Sequence, residues 1–127
     1  MAAGKRDLIV ERWTPFKHVI LFEGFDFTGQ ACSMQVRRSR DRSDAALISL
    51  TTAASPAEGI SLSVATVGGI PSTTVEIRIN EVTIEGLPFT NPRGGDWLGA
   101  WDLHIGNGVA KRRWLQGTFT VSAGVTQ

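Results

Sequence analysis

Two histidines, one cysteine and a scatter of loop aspartates are the side chains of this sequence best suited to chemistry, and their spacing decides what they can do. Asp102 and His104 are separated by one residue in an alternating stretch, so they share a face and are able to meet. A hydrolase would also need a nucleophile in a strained turn, which the pattern does not provide. His18 stands apart among Lys17, Val19 and Ile20, and the two histidines have no common spacing to carboxylates of the kind a zinc site requires. Asp26, Asp41, Asp44 and Asp96 fall in turn-like segments without the spacing of a calcium loop, and turn formation accounts for them. Arg93-Gly94-Gly95 is a single copy of its motif, and the glycine-rich pieces match no phosphate-binding or dinucleotide fingerprint. A lone cysteine excludes an internal disulfide, and the alternation of Cys32, Met34 and Val36 makes it a small buried hydrophobe. The expectation is a chain with no catalytic, cofactor-binding or metal-binding residues, and therefore no enzyme.

If function does not sit in a reaction centre, it sits on surfaces. The formal net charge is only +1, yet Arg37, Arg38, Arg40 and Arg42 cluster in one region and Lys111, Arg112 and Arg113 in another. Nucleic-acid binders are usually more basic, with aromatics interleaved among the cations. Here the pI is about 8.0 and Asp41 and Asp44 interrupt the arginines, which argues for protein contacts and against nucleic acid. Four tryptophans and no tyrosine are more than one small core needs. Trp101 is expected in the core, and Trp97 and Trp114 as interface anchors; in the alternative, all four tryptophans cover the ends of the fold. The candidate contact residues are Arg37, Arg38, Arg40, Arg42, Arg93, Trp97, Arg112, Arg113 and Trp114.

The elements that must position these residues are strands. At 127 residues the chain is expected to form one domain over 1–127, with residues 1–6 as a flexible N-terminal arm. No run is long enough to span a bilayer and the start lacks a secretory pattern, so synthesis in a cytoplasm and no membrane contact are expected. Alternation predicts strands at Leu8 to Thr14, Phe16 to Phe22, Cys32 to Val36, Ile48 to Leu50, Ile60 to Val64 and Val75 to Ile79, with a hairpin turn at Gly68-Gly69. The apolar phase then slips, with Val82 and Ile84 on even positions, and a bulge or tight turn at Asn80-Glu81 would restore the facing. Leu87 to Leu98 reads as a long loop. Ala100 to Gln127 reads as three antiparallel strands, the last opening at Gly117. About eight strands with little or no helix predict an all-β sandwich or small barrel with antiparallel sheets.

Three segments resemble a group of small bacteriophage proteins encoded among tail and baseplate genes, similar to the N-terminal domain of the baseplate upper protein. They are the opening strand Asp7 to Arg12; Phe27-Thr28-Gly29-Gln30 followed by Met34-Gln35-Val36-Arg37; and Trp101-Asp102-Leu103 followed by Leu115-Gln116-Gly117-Thr118-Phe119-Thr120-Val121. Order and spacing agree over nearly the whole chain. The chain departs from the group in Trp101, where tyrosine is usual, and in a longer proline-containing loop from Pro88 to Gly99. The resemblance implies an Ig-like β-sandwich and a non-enzymatic structural protein of the virion, made in the host cytoplasm. Such a tail, baseplate or tail-tip adaptor subunit assembles in multiple copies with neighbouring tail proteins, as a homo-oligomer or symmetric ring. It implies no cofactor and no catalytic residue, and with the sequence stopping at Gln127 no receptor-binding extension is expected. Two alternatives stand beside it: a head decoration or head–tail joining protein, and a carbohydrate-binding sandwich in which Trp97 and Trp114 stack on sugar rings.

Overall fold

Alternating apolar residues become strands throughout the computed structural model of the chain, which describes residues 4–39, 45–54, 56–87, 96–106 and 112–122. The elements are β1 (Gly4–Lys5), β2 (Leu8–Glu11), β3 (Phe16–Glu23), β4 (Cys32–Arg37), β5 (Ile48–Thr51), β6 (Gly59–Val67), β7 (Ile70–Ile79), α1 (Glu81–Glu85), β8 (Trp97–Ile105) and β9 (Arg112–Ser122). One sheet runs β9-β8-β4-β5 in antiparallel pairs, and β1 and β2 both lie parallel along the outer edge of β9. The other is β3-β7-β6, antiparallel throughout. With β3 to β9 taken as strands B, C, C′, D, E, F and G, this is the two-sheet order of an immunoglobulin variable-type sandwich, with the first strand carried to the G edge. The chain is thus an all-β, Ig-like sandwich with almost no helix. No helix among the described residues is long and apolar enough to cross a membrane.

The buried set follows the period of two. Cys32, Met34 and Val36 of β4, Val75, Ile77 and Ile79 of β7, and Trp101, Leu103 and Ile105 of β8 all turn into one core, where Phe119 is the largest fully buried side chain. Immunoglobulin domains tie strands B and F with a disulfide; here those strands carry Ile20 and Leu103 in the common core, and the lone cysteine lies on β4. Burial pushes the Cys32 thiol up to about 11, so it packs as a hydrophobe. The hairpin between β6 and β7 forms at Gly68-Gly69, with φ of 60° and 80° at the two residues. Two positive φ values are what a type I′ turn demands, and glycine takes them without strain.

One expectation is refined and two are corrected. Of the bulge or tight turn expected at Asn80-Glu81, the chain takes a turn, and it continues as the single helical turn α1. Val82 points to solvent while Ile84 and Leu87, three residues apart, are buried on one side, so the period changes from two to helical. The first long strand ends at Glu11 rather than Thr14, because Arg12 and Trp13 turn out to meet α1. The Glu85 carboxylate accepts from Arg12 Nε and from the Trp13 backbone N–H, each at 3.1 Å, and Trp13 adopts φ 72°. Finally, Gly117 opens no new strand: β9 is continuous from Arg112 to Ser122, and the described residues from Ala100 on form two strands rather than three. Gly117 is there for close approach. A Cβ at that position would lie 2.0 Å from the Arg6 carbonyl oxygen, which accepts from the Trp101 indole N–H at 2.8 Å. The β1–β2 link presses against β9 at a residue with no side chain to stand in its way.

Candidate functional site

The outer face of the β9-β8-β4 sheet is where polar side chains converge. Because side chains alternate along each strand, Ser33, Gln35 and Arg37 of β4 and Ala100, Asp102 and His104 of β8 point away from the core. Register then sets them in rows: Ser33, His104 and Arg113; Gln35, Asp102 and Gln116; Arg37, Ala100 and Thr118. Alternation along single strands supplies the outward set, and lateral pairing alone supplies the neighbours. A β-bulge completes the arrangement. Leu103 faces Leu115 while His104 faces Arg113, so Trp114 is the extra residue, and the strand bends at that point. Ala100 is too small to fill its place, and a concavity of about 320 Å³ opens among Gln35, Arg37, Asp102, His104, Arg113 and Gln116.

Asp102 organises this surface. Arg113 Nε lies 3.4 Å from its carboxylate and His104 Nε2 lies 3.8 Å away, so the predicted meeting of Asp102 and His104 occurs. Arg113 also donates to Gln116 Oε1 at 3.3 Å, and Arg37 donates to Gln35 Oε1. One guanidinium group therefore stands beside the Asp102 carboxylate and a second beside Gln35 on the same face, with two carboxamides holding their orientation. Planar guanidinium forks recognise carboxylates and similar anions with two parallel bonds. Carboxamides add a donor and an acceptor each. Chemically, such a surface can hydrogen-bond an acidic or carbonyl-bearing group. Among the described residues no group of three or more His, Cys, Asp or Glu is placed to hold a metal ion.

Of the residues singled out from sequence, Arg37 and Arg113 come together on this face. Arg38 follows Arg37 and is exposed. Arg40, Arg42 and Arg93 lie outside the described residues. Trp97 is a correction: it is 3% exposed, its ring edge-on to Phe119 at 6.5 Å in the core, and a partner would have no access to it. Trp114 is half-buried, its ring within 5.1 Å of both Phe25 and Phe27 and 6.2 Å from Phe22, with the exposed Arg112 guanidinium 5.6 Å over it. With Trp97 inside and Trp114 packed among phenylalanines, the two do not form a joint stacking platform. Trp101 is in the core as expected. Gln35 and Gln116 were missed because a glutamine in a strand carries no signal until the strand beside it is known.

A second polar cluster lies on the outer face of the β3-β7-β6 sheet. Arg78, 7% exposed as a residue, donates to the carbonyls of Ala53 and Ala57 at 2.8 and 2.7 Å, to Ser61 Oγ at 2.9 Å and to Glu76 at 2.7 Å. Those bonds fold the β5–β6 connection over the sheet. Hydrogen bonding from Arg78 holds the Glu76 carboxyl below its ordinary value. At the sandwich's open side, His18 accepts from Arg6 at 3.3 Å, and burial and that cation depress its pKa.

No protein-family model and no curated protein matches the chain. Among solved structures, a chain from a photo-crosslinking study of multimeric cell-adhesive interactions of VGSC beta subunits is similar over 98% of this chain and 96% of its own length, at 9% identity and a TM-score of 0.37. The Ig-like assignment stands on the strand order and register of this chain.

Proposed function

We propose that this chain is a non-enzymatic structural protein of a bacteriophage virion, a tail, baseplate or tail-tip adaptor subunit present in many copies, which works by docking its β9-β8-β4 face and its open sheet edges onto neighbouring tail proteins. The observation that supports this reading most is where the phage-like segments lie. Met34 to Arg37, Trp101 to Leu103 and Leu115 to Val121 belong to β4, β8 and β9, adjacent strands of one sheet, with Met34 opposite Leu103 and Leu103 opposite Leu115. The opening segment runs along β9 as β2. Motifs far apart in sequence thus lie on adjacent strands of one sheet, and the outer face of those strands carries the arginine and carboxamide rows. Interfaces are rich in arginine for the geometric reasons given above.

Mass spectrometry of particles produced from the genome that encodes the chain tests the reading. The chain should be found in many copies per particle and should follow the tails when heads and tails are separated. Recovery with the heads would favour a decoration or joining protein, and absence from purified particles would remove the virion role.

A further inference from the structure

The strand β3, Phe16-Lys17-His18-Val19-Ile20-Leu21-Phe22-Glu23, forms an edge of the three-stranded sheet, and it is complementary to its own reverse. Ladder geometry fixes which of its groups face outward. Gly24 continues the pairing of Glu23 with Ser72, and its N–H donates to the Pro71 carbonyl at 2.8 Å. Hydrogen-bonded pairs alternate along an antiparallel ladder, so Phe22, Ile20 and His18 turn their backbone groups to β7. Lys17, Val19, Leu21 and Glu23 turn theirs to the edge, where no strand of the described residues pairs with them. The same four carry their side chains on the outer face of the sheet, with Val19 49% and Leu21 59% exposed. An unpaired edge bearing apolar side chains is a template for another strand.

We infer that β3 is a dimerisation edge: a second copy of this chain adds its own β3 antiparallel about a two-fold axis at Ile20, making one continuous six-stranded sheet. In that register Lys17 faces the partner's Glu23, Val19 faces the partner's Leu21, and each contact occurs twice, as an isologous interface requires. Ile20 meets the partner's Ile20 on the inner side, beside His18 and the partner's Phe22. Neighbouring registers lose this match. A slip of one residue sets outward-turned backbone groups against inward-turned ones. A slip of two sets Lys17 against leucine or Val19 against glutamate. Only the Ile20-centred register pairs opposite charges and apolar side chains at all four outward positions, which is the arrangement that cross-strand pairing rewards. Lys17 lies 3.6 Å from Glu76 of its own chain, so in the dimer it bridges two carboxylates. The contact deepens the assembly reading above and rests on it for its place in a particle.

Sedimentation equilibrium of the purified full chain, from micromolar to millimolar concentration at low salt, tests the edge. The wild-type chain is expected to dimerise. Glu23→Lys, which sets lysine against lysine at both ends of the strand pair, should weaken the dimer about tenfold. Lys17→Glu combined with Glu23→Lys should restore it, a rescue that a damaged fold would not give. A wild-type chain that stays monomeric, or a dimer that Glu23→Lys leaves unchanged, overturns the inference. The virion assignment is read separately from particles: a monomer that still enters tails removes only the β3 contact, and a β3 dimer absent from particles removes only the tail assignment.

Discussion

The two outer faces of the sandwich both carry guanidinium groups and use them in opposite ways. On the β3-β7-β6 face the Arg78 side chain is 9% exposed and all its named acceptors are in its own chain: two loop carbonyls, a serine hydroxyl and Glu76. It is a clasp. On the β9-β8-β4 face the Arg113 side chain is 43% exposed and its contacts to Asp102 and Gln116 are 3.4 and 3.3 Å, at the long end of hydrogen bonding. That cation is held in orientation and still presented to solvent. The difference comes from what lies over each sheet. The β5–β6 connection folds across one face and consumes its arginine, whereas among the described residues the other face keeps a concavity. An arginine in a strand is therefore no indication of an interface until it is known whether a loop covers it.

Breaking the clasp should have the largest effect. Arg78→Met leaves the Ala53 and Ala57 carbonyls and Glu76 without their donor and should cost about 4 kcal/mol in urea unfolding. Gly117→Ala drives a methyl group into the Arg6 carbonyl and should cost about 3 kcal/mol, with β1 and β2 losing amide protection in hydrogen exchange before the remaining strands. Glu85→Gln weakens the tie between α1 and the Arg12–Trp13 turn and should cost about 1.5 kcal/mol. Arg113→Ala and Arg37→Ala should each change stability by less than about 0.5 kcal/mol, as expected for exposed or half-buried groups in water. If the two faces differ as described, the first variant loses stability and the last two keep it.

Acid sharpens the same contrast. Glu76 and Glu85 are held below their usual value of 4.5, first by hydrogen bonds from Arg78 and Arg12. A depressed folded-state pKa contributes stability that is complete above the unfolded value and is lost as pH falls through the folded one. His18 acts in the same direction from a higher pH, because burial and Arg6 favour its neutral form below the usual 6.5. Thermal melts should therefore show stability declining from just below pH 6.5 and falling faster below pH 4.5. In Glu85→Gln the second decline should be shallower.

Much of the fold was legible in the sequence. The period of two located β3, β4, β5, β6, β7 and β8, and Gly68-Gly69 announced its own turn. The misreadings have local causes. Val82 and Ile84 showed only a slip of phase because one helical turn offers too few residues to display its period. Gly117 was read as a boundary because a glycine needed for backbone approach looks, in sequence, the same as a glycine in a turn. The candidate site was less legible. Arg37 and Arg113 were found by charge, and Asp102 and His104 were seen as a pair, but the rows that join them depend on lateral register across β4, β8 and β9, which no single strand encodes. Trp97 was misplaced because its neighbourhood of glycine, proline and aspartate resembles a loop, whereas strand β8 begins at that residue and turns it inward.

The central claim is that the β9-β8-β4 face acts by docking and contributes little to holding the fold. The most direct test is to introduce Arg37→Glu together with Arg113→Glu and measure incorporation into particles beside thermal stability. Incorporation should fall at least about tenfold, the loss of two oriented charge contacts, while the melting temperature stays within about 5 °C of the wild type. Normal incorporation of this variant would contradict the claim.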